Sequence, residues 1–215
     1  MIINFKKKAF SLSSTYLIDH IKVIASIFFI LIVTSCLFLD KPLAIFFTDL
    51  SFSIKAPFLA IEKLFCPMLW ILAPQAIFFY IRFFLKKEKK SRKIWYVSLS
   101  IPLAIIACKI LQLFFGKATP EWFFLHQETP FRFFEWNASF HSFPCMASVI
   151  IATFASSLSC LMSKSRAPLL LAGFFVSLFP VLSANAFLSD ALAGFLLGSL
   201  SAQWIFRKMK REASL

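Results

Sequence analysis

Apolar residues occur in long blocks along the chain, and short charged segments separate these blocks. A helix that crosses the hydrocarbon core of a bilayer needs about 20 mostly apolar residues, and several blocks reach that length. The pattern therefore predicts an all-α integral membrane protein with six transmembrane helices. We place these helices at about residues 21–39, 65–84, 94–115, 145–162, 168–182 and 187–206.

Prolines and small residues refine this prediction. The second predicted helix contains Pro67 and Pro74. Membrane helices tolerate proline, and we expect these two residues to kink the helix. The last two helices are joined very tightly around Ser183-Ala184-Asn185.

Basic residues gather in four segments: the N-terminal arm, the loop at 86–93, the connection after the fourth helix, and the C-terminal tail. With six spans, all four segments lie on one side of the membrane, and the positive-inside rule makes that side the cytoplasm. We therefore expect a cytoplasmic arm (1–20), a six-helix membrane domain (21–206) and a cytoplasmic tail (207–215). In a multi-pass protein of the cell inner (plasma) membrane, the third loop, residues 116–144, then faces outward.

The composition agrees with a membrane protein, since 60% of the residues are hydrophobic. The formal charge of +13 could indicate a nucleic-acid-binding protein. Because the basic residues flank apolar blocks, we interpret them as topology signals and contacts with anionic headgroups. Membrane lipids are thus the expected partners, and nucleic acid is not. The five cysteines form no CxxC pair, so we expect no metal site, disulfide framework or cofactor.

Cys36 permits a second interpretation of the first apolar block. Val33-Thr34-Ser35-Cys36 follows a basic arm and an apolar run, and it resembles a bacterial lipoprotein cleavage site. The apolar part of a signal peptide spans about 7 to 15 residues, and this run is longer. We therefore favour a cysteine inside the first membrane helix.

Asp190 is the only charged residue between Ala167 and Phe206. An acid inside a membrane segment costs several kcal/mol by most estimates, so it marks a functional-site hypothesis. The alternative is an acid at the mouth of a helix, in contact with water.

Other polar residues are predicted at the same outer face as Asp190. Lys109 lies in the third predicted helix, Lys117 follows its outer end, and Ser142 precedes the fourth helix. A helix N-terminus at this surface suits an anion. We predict that Lys109, Lys117 and Ser142 bind a phosphate group and that Asp190 orients or balances a cation. For Lys109, snorkelling toward the headgroups is the alternative.

Three segments resemble the motifs of the type 2 phosphatidic acid phosphatase (PAP2) family, six-helix membrane enzymes that remove phosphate from lipids. The first family motif is Lys, six residues, then Arg-Pro, often with Gly-Arg just before that pair. In this chain Gly116 and Pro120 are retained, whereas Gln112 stands at the Lys position, Lys117 at the auxiliary Arg and Thr119 at the motif Arg. Lys109 lies one helical turn before Gln112 and could supply a displaced cation.

The other two motifs lie further along the chain. Ser142-Phe143-Pro144 resembles the lead-in to the family's Pro-Ser-Gly-His, and Ala147 stands at the histidine position. Asp190 matches the acid of the third motif, and Ala186 stands where the family has its other histidine. In motif order the resemblance covers residues 109–198, together with the six-span layout.

The resemblance implies a PAP2-like helical bundle with an altered active site. In the family, the third-motif histidine attacks phosphorus, the acid orients it, and the second-motif histidine protonates the leaving alcohol. Alanine can perform neither role. We therefore expect a catalytically degraded protein with Asp190 as the remaining catalytic-type residue, binding a phosphorylated lipid or a membrane partner.

Two alternatives remain open. One is an active lipid phosphatase with a non-standard site of Lys109, Lys117, His141 and Asp190, although His141 is also readily explained as an exposed loop histidine. Cys145 could act as a nucleophile at a helix N-terminus, but we favour a small apolar side chain in a membrane helix. The other alternative is a small transporter or flippase with Asp190 and Lys109 along its path. Transporters often contain internal repeats, and the two halves of this sequence show none.

Overall fold

The computed structural model describes residues 23–61, 63, 91–126, 131–162 and 165–212. Within these ranges the chain is helical, apart from connecting segments and an isolated antiparallel bridge between Lys117 and Phe131. The helices are α1 (Val23–Asp49), α2 (Phe52–Ile61), α3 (Ser91–Phe115), α4 (Pro120–His126), α5 (Met146–Leu161), α6 (Arg166–Ser177), α7 (Phe179–Leu182) and α8 (Leu188–Glu212).

Four of the predicted helices correspond to α1, α3, α5 and α8, with ends that differ by a few residues in most cases. The second predicted helix, with Pro67 and Pro74, lies outside the described residues. The prediction missed two short helices, α2 and α4, because their apolar runs are far shorter than a membrane span.

The first helix is longer than predicted, since α1 continues through Asp40 to Asp49. It contains a π-helical segment, Ser35–Leu39, and Pro42 lies in the first turn after that segment. Proline cannot donate to the preceding turn of a helix, and helices depart from regular α geometry near such positions. Asp40 and Lys41, which lie just beyond the predicted end at residue 39, are therefore inside α1.

The fifth predicted helix is interrupted, and α6 and α7 take its place. Pro180 has no N–H to donate to the preceding turn, and its ring disfavours a continuous helix. Leu178 instead donates to the carbonyl of Phe175, three residues earlier, at 3.1 Å. The predicted tight connection around Ser183-Ala184-Asn185 is confirmed, with Ala184 in the left-handed region at φ 59°.

Helices α5 and α8 form the centre of the bundle. Gly194 and Gly198, one turn apart on α8, lie against α5 so closely that a Cβ on Gly194 would be 2.7 Å from the carbonyl oxygen of Cys145. Small residues with this spacing let helix backbones approach each other. Serine pairs add polar contacts between helices, with Ser156 bonded to Ser199 at 3.0 Å and Ser100 to Ser157 at 2.8 Å.

Among the described residues, α1 is the one helix that is both long and apolar enough to cross a membrane. The apolar helices Leu99–Phe115, Met146–Leu161 and Arg166–Leu182 are shorter. Many large hydrophobic side chains of α1 face outward, including Phe29 at 65% exposure and Phe38 at 70%. Such a surface is typical of a helix that is covered by lipid or by another apolar element.

Candidate functional site

Three helix ends and one passing helix meet at one end of the bundle. Helix α3 ends at Phe115, α5 and α8 begin at Met146 and Leu188, and α1 passes the same place after its π-helical segment. Gly116 makes the turn out of α3 with φ 51°, and a Cβ there would collide with the backbone carbonyl of Arg132. This turn places the side chain of Lys117 between α1 and α8.

Lys117 is the centre of a buried polar cluster formed by Asp40, Lys117, Ser142, Ser189 and Asp190. Its ammonium donates to Asp40 Oδ2, Ser189 Oγ and Asp190 Oδ1, each at 2.7 Å. The residue is 2% exposed. Because an ammonium has three N–H donors, these contacts use all of them.

Asp190 is completely buried, with 0% of its surface exposed. One carboxylate oxygen pairs with Lys117, and the other accepts hydrogen bonds from Ser142 Oγ and from the backbone N–H of Phe187 at 3.2 Å. The bond to Phe187 closes the first turn of α8, as the acid of a capping box does. The alternative in which Asp190 faces water is therefore wrong.

Asp40 completes the cap of α8 from another helix. Its Oδ1 accepts the backbone N–H of Ser189 at 2.9 Å, and its Oδ2 accepts the hydroxyl of Ser189 at 2.6 Å. Phe187 stands at the N-cap position and has no side-chain oxygen to satisfy these first-turn donors. The Asp40 carboxylate on α1 accepts the Ser189 N–H instead, although the two residues are 149 positions apart in the sequence.

The cluster contains two acids and one base, so a full set of charges leaves it with a net charge of −1. Burial opposes the charged form of Lys117, but the carboxylates of Asp190 and Asp40 more than offset this and raise the pKa of Lys117 above its usual value. The ring of Phe187 also lies 4.5 Å from the Lys117 ammonium, a distance at which a cation–π contact adds attraction. Lys117 is therefore held as a cation.

The structure brings together three of the residues predicted from the sequence: Lys117, Ser142 and Asp190. The sequence left open whether Asp190 pairs with Lys109 or Lys117, and the structure pairs it with Lys117. Lys109 is exposed on α3. His141 is half-buried, and its Nε2 lies 3.2 Å from the carbonyl oxygen of Glu135 rather than in the cluster.

Two further motif positions serve the local structure. Gln112, at the position of the family's lysine, is buried, and its amide donates to the carbonyl of Pro144 at 2.9 Å. The thiol of Cys108 approaches the same carbonyl at 3.5 Å. The backbone N–H of Cys145 donates to the carbonyl of Asp190 at 3.0 Å. These bonds hold the start of α5 against α3 and α8.

Sequence reasoning missed Asp40 and Ser189. Asp40 follows an apolar block, precedes a lysine and lies just beyond the predicted helix end at residue 39. Ser189 is a common residue in membrane helices. The sequence does place an acid, Asp40, near the same predicted end of the membrane domain as Asp190. That Asp40 contacts Lys117 and Ser189 is visible only in the three-dimensional structure.

Comparison with known families gives a match over the part of the chain that contains most of this cluster. The model of the PAP2 superfamily matches residues 93–214. The chain belongs to the PAP2 superfamily. No curated protein and no solved structure matches it. The PAP2 match begins in α3, so Lys117, Ser142, Ser189 and Asp190 lie inside it, whereas α1 and Asp40 lie outside.

PAP2 proteins are typically membrane-associated and act on phosphorylated lipids, which agrees with the apolar helix α1 near the N-terminus. The positions that the resemblance assigns to the family's two histidines are Ala147, which is half-buried in α5, and Ala186, which is buried before α8. The motif region around Asp190 therefore contains a buried ion-pair network and has alanine at both histidine positions.

Proposed function

We propose that this chain is a PAP2-superfamily membrane protein that recognises a phosphorylated lipid and does not hydrolyse it by the family mechanism. The observation that carries the proposal is the arrangement of Lys117, whose three donors all bond to Asp40, Ser189 and Asp190 within the motif region. Both histidine positions hold alanine, so Asp190 has no histidine to orient. It instead stabilises Lys117 and the N-terminus of α8.

The proposed membrane arrangement has six spans, both termini in the cytoplasm and the cluster near the outer face. It is supported by the basic segments that alternate with apolar blocks. It is also supported by the convergence of α1, α3, α5 and α8 around the cluster at one end of the bundle. Aromatic side chains in the segment after α4 are strongly exposed, with Trp136 at 80% and Phe133 and Phe134 at 63% each. They fit an anchor at the membrane interface.

The proposed ligand class follows from the family and from the cations near the cluster. PAP2 proteins act on phosphorylated lipids. All three donors of Lys117 are used inside the cluster, so we propose that Lys117, with Ser142 beside it, contacts a headgroup only when Asp40 is displaced, and that Lys109 is a more distant contact. Lys41 lies beside the same end of the bundle, with its ammonium 5.3 Å from the ring of Phe123.

A non-standard phosphatase is less well supported. Its candidate groups are dispersed: His141 contacts Glu135, and Lys109 is exposed. A general acid or base must lie within hydrogen-bonding reach of the reacting group, directly or through one water. In the part of the chain that the structure describes, no specific contact favours a transporter.

The experiment is a phosphate-release assay on the purified full-length chain. Phosphatidic acid, a prenyl pyrophosphate and lipid A are offered in detergent micelles, with an active PAP2 enzyme as positive control. We expect no release above the level of heat-treated protein. Release that disappears in Asp190→Ala but survives in Asp49→Ala, an exposed acid on α1, would contradict the proposal.

A further inference from the structure

The carboxylate of Asp40 is bound in the way that proteins bind external anions. It accepts an ammonium N–H from Lys117, the hydroxyl of Ser189, and the backbone N–H of Ser189 in the first turn of α8. An ammonium, a hydroxyl and a helix N-terminal N–H form a donor set that suits a phosphate group. The anion in this position comes from the chain itself.

The donors and the anion come from different parts of the chain. Lys117 and Ser189 lie within the region that matches the PAP2 superfamily, residues 93–214. Asp40 is supplied by α1, which precedes that region. The part of the chain that matches the family thus forms the donor set, and α1, which precedes the match, supplies the anion.

A small cavity adjoins the Asp40 carboxylate. Its volume is about 50 Å³, and Cys36, Asp40, Lys41, Lys117 and Phe131 are among the residues that line it. Removing the Asp40 side chain would join its volume to this space. Lys41 would then be a second cation on the wall of the enlarged cavity.

The charge balance explains why the two anions exclude each other. With Asp40 in place, the cluster has two carboxylates for one ammonium, and a phosphate would add negative charge to a buried site that is already negative. Without Asp40, Lys117 and Asp190 balance each other, and the donors of Ser189 are released.

We propose that Asp40 is an autoinhibitory occupant of an anion site formed by Lys117 and Ser189, and that the ligand it excludes is a phosphate monoester. Binding of that group and seating of α1 against α8 are then mutually exclusive. This inference deepens the proposed function by naming the group that is recognised and the element that controls access.

The test measures anion-dependent stabilisation of full-length Asp40→Ala in detergent. Inorganic phosphate should raise the thermal midpoint of this variant in a saturable way, compared with sodium chloride at equal ionic strength, because a ligand that binds only the folded state stabilises it. The wild type and Asp49→Ala, which changes an exposed acid of the same helix, should show no such shift. The double variant Asp40→Ala/Lys117→Met should also lose it.

Two arms distinguish the sources of the phosphate group. Asp40→Ala in nanodiscs with phosphatidic acid is compared with the same variant in pure phosphatidylcholine, beside the arm with inorganic phosphate. Stabilisation by either phosphate source supports the proposal, and stabilisation by neither overturns it. A shift that persists without Lys117 also overturns it, since the anion then binds elsewhere.

A second variant covers the case in which Asp40→Ala does not fold. Asp40→Ser keeps an oxygen acceptor near the Ser189 donors, but it removes the charge and frees most of the volume that the carboxylate fills. Equilibrium dialysis against labelled inorganic phosphate should then detect binding that the wild type lacks, and equal binding by both proteins contradicts the proposal. Failure here is distinguishable from failure of the proposed function, which would appear as phosphate release by the wild type.

Discussion

Lys117→Met removes the one cation of the buried cluster and leaves most of the surrounding structure in place. Methionine has a similar length and no charge, so the variant isolates the ammonium. Asp40 and Asp190, 5% and 0% exposed, would then face each other without a cation between them. We expect a large loss of stability.

The magnitude follows from the contacts that disappear. Breaking a buried ion pair by removing one partner costs about 3 to 5 kcal/mol, because the remaining charge stays buried. Both carboxylates keep other donors: Ser189 for Asp40, and Ser142 and the Phe187 N–H for Asp190. We therefore expect the lower end of that range, about 3 kcal/mol, which reduces the ratio of folded to unfolded protein more than about 100-fold.

The assay is equilibrium unfolding of the purified chain by SDS in mixed micelles, followed by the fluorescence of its five tryptophans. Lys109→Met is the matched control, since Lys109 is exposed on α3, only eight residues before Lys117 in the sequence. An exposed substitution of this kind changes stability by about 0.5 kcal/mol or less. Equal free energies of unfolding for the two variants would refute the reasoning.

Three further predictions concern the charge state, the packing and the topology. Because the pKa of Lys117 is raised, its contribution to stability is present below its usual value of 10.5 and is lost as pH rises through the folded-state pKa. The difference in unfolding free energy between wild type and Lys117→Met should therefore shrink in strongly alkaline buffer, and a constant difference would contradict this. Gly198→Leu should destabilise the bundle by about 1 to 3 kcal/mol or more, because the larger side chain overpacks against α5. Ala172→Leu, at an exposed position of α6, should not change stability in this way. Equal unfolding curves for the two variants would count against close packing of α8 on α5. Reporter fusions after Lys90 and after Gln127 should report opposite sides of the membrane, and the same side would overturn the six-span proposal.

The sequence predicted the helical elements well wherever apolar length was decisive. The bounds of α3 and α5 differ from the predicted ones by at most a few residues, because the ends of their apolar blocks coincide with Gly116 and Pro144. The break before Pro180 was not predicted, although the proline is visible in the sequence. The extension of α1 past Asp40 depends on the π-helical segment, which no sequence period indicates.

The candidate site was predictable only in part. Asp190 and Lys117 were identified because a charge stands out in an apolar environment and because both lie in the motif region. Asp40 was not identified, since a carboxylate followed by Lys41 at the end of an apolar run is typical of a span boundary. Its role depends on a contact with Ser189, 149 residues away, which only the packing of α1 against α8 creates.

The most direct measurement of the central claim, that Asp40 of α1 forms a buried ion pair with Lys117 of the PAP2 motif region, is a double-mutant cycle. The unfolding free energies of wild type, Asp40→Asn, Lys117→Met and the double variant give the coupling between the two residues. We predict a favourable coupling of at least about 1.5 kcal/mol, since the pair is buried and the two side chains share a hydrogen bond. A coupling that does not differ from zero would contradict the claim.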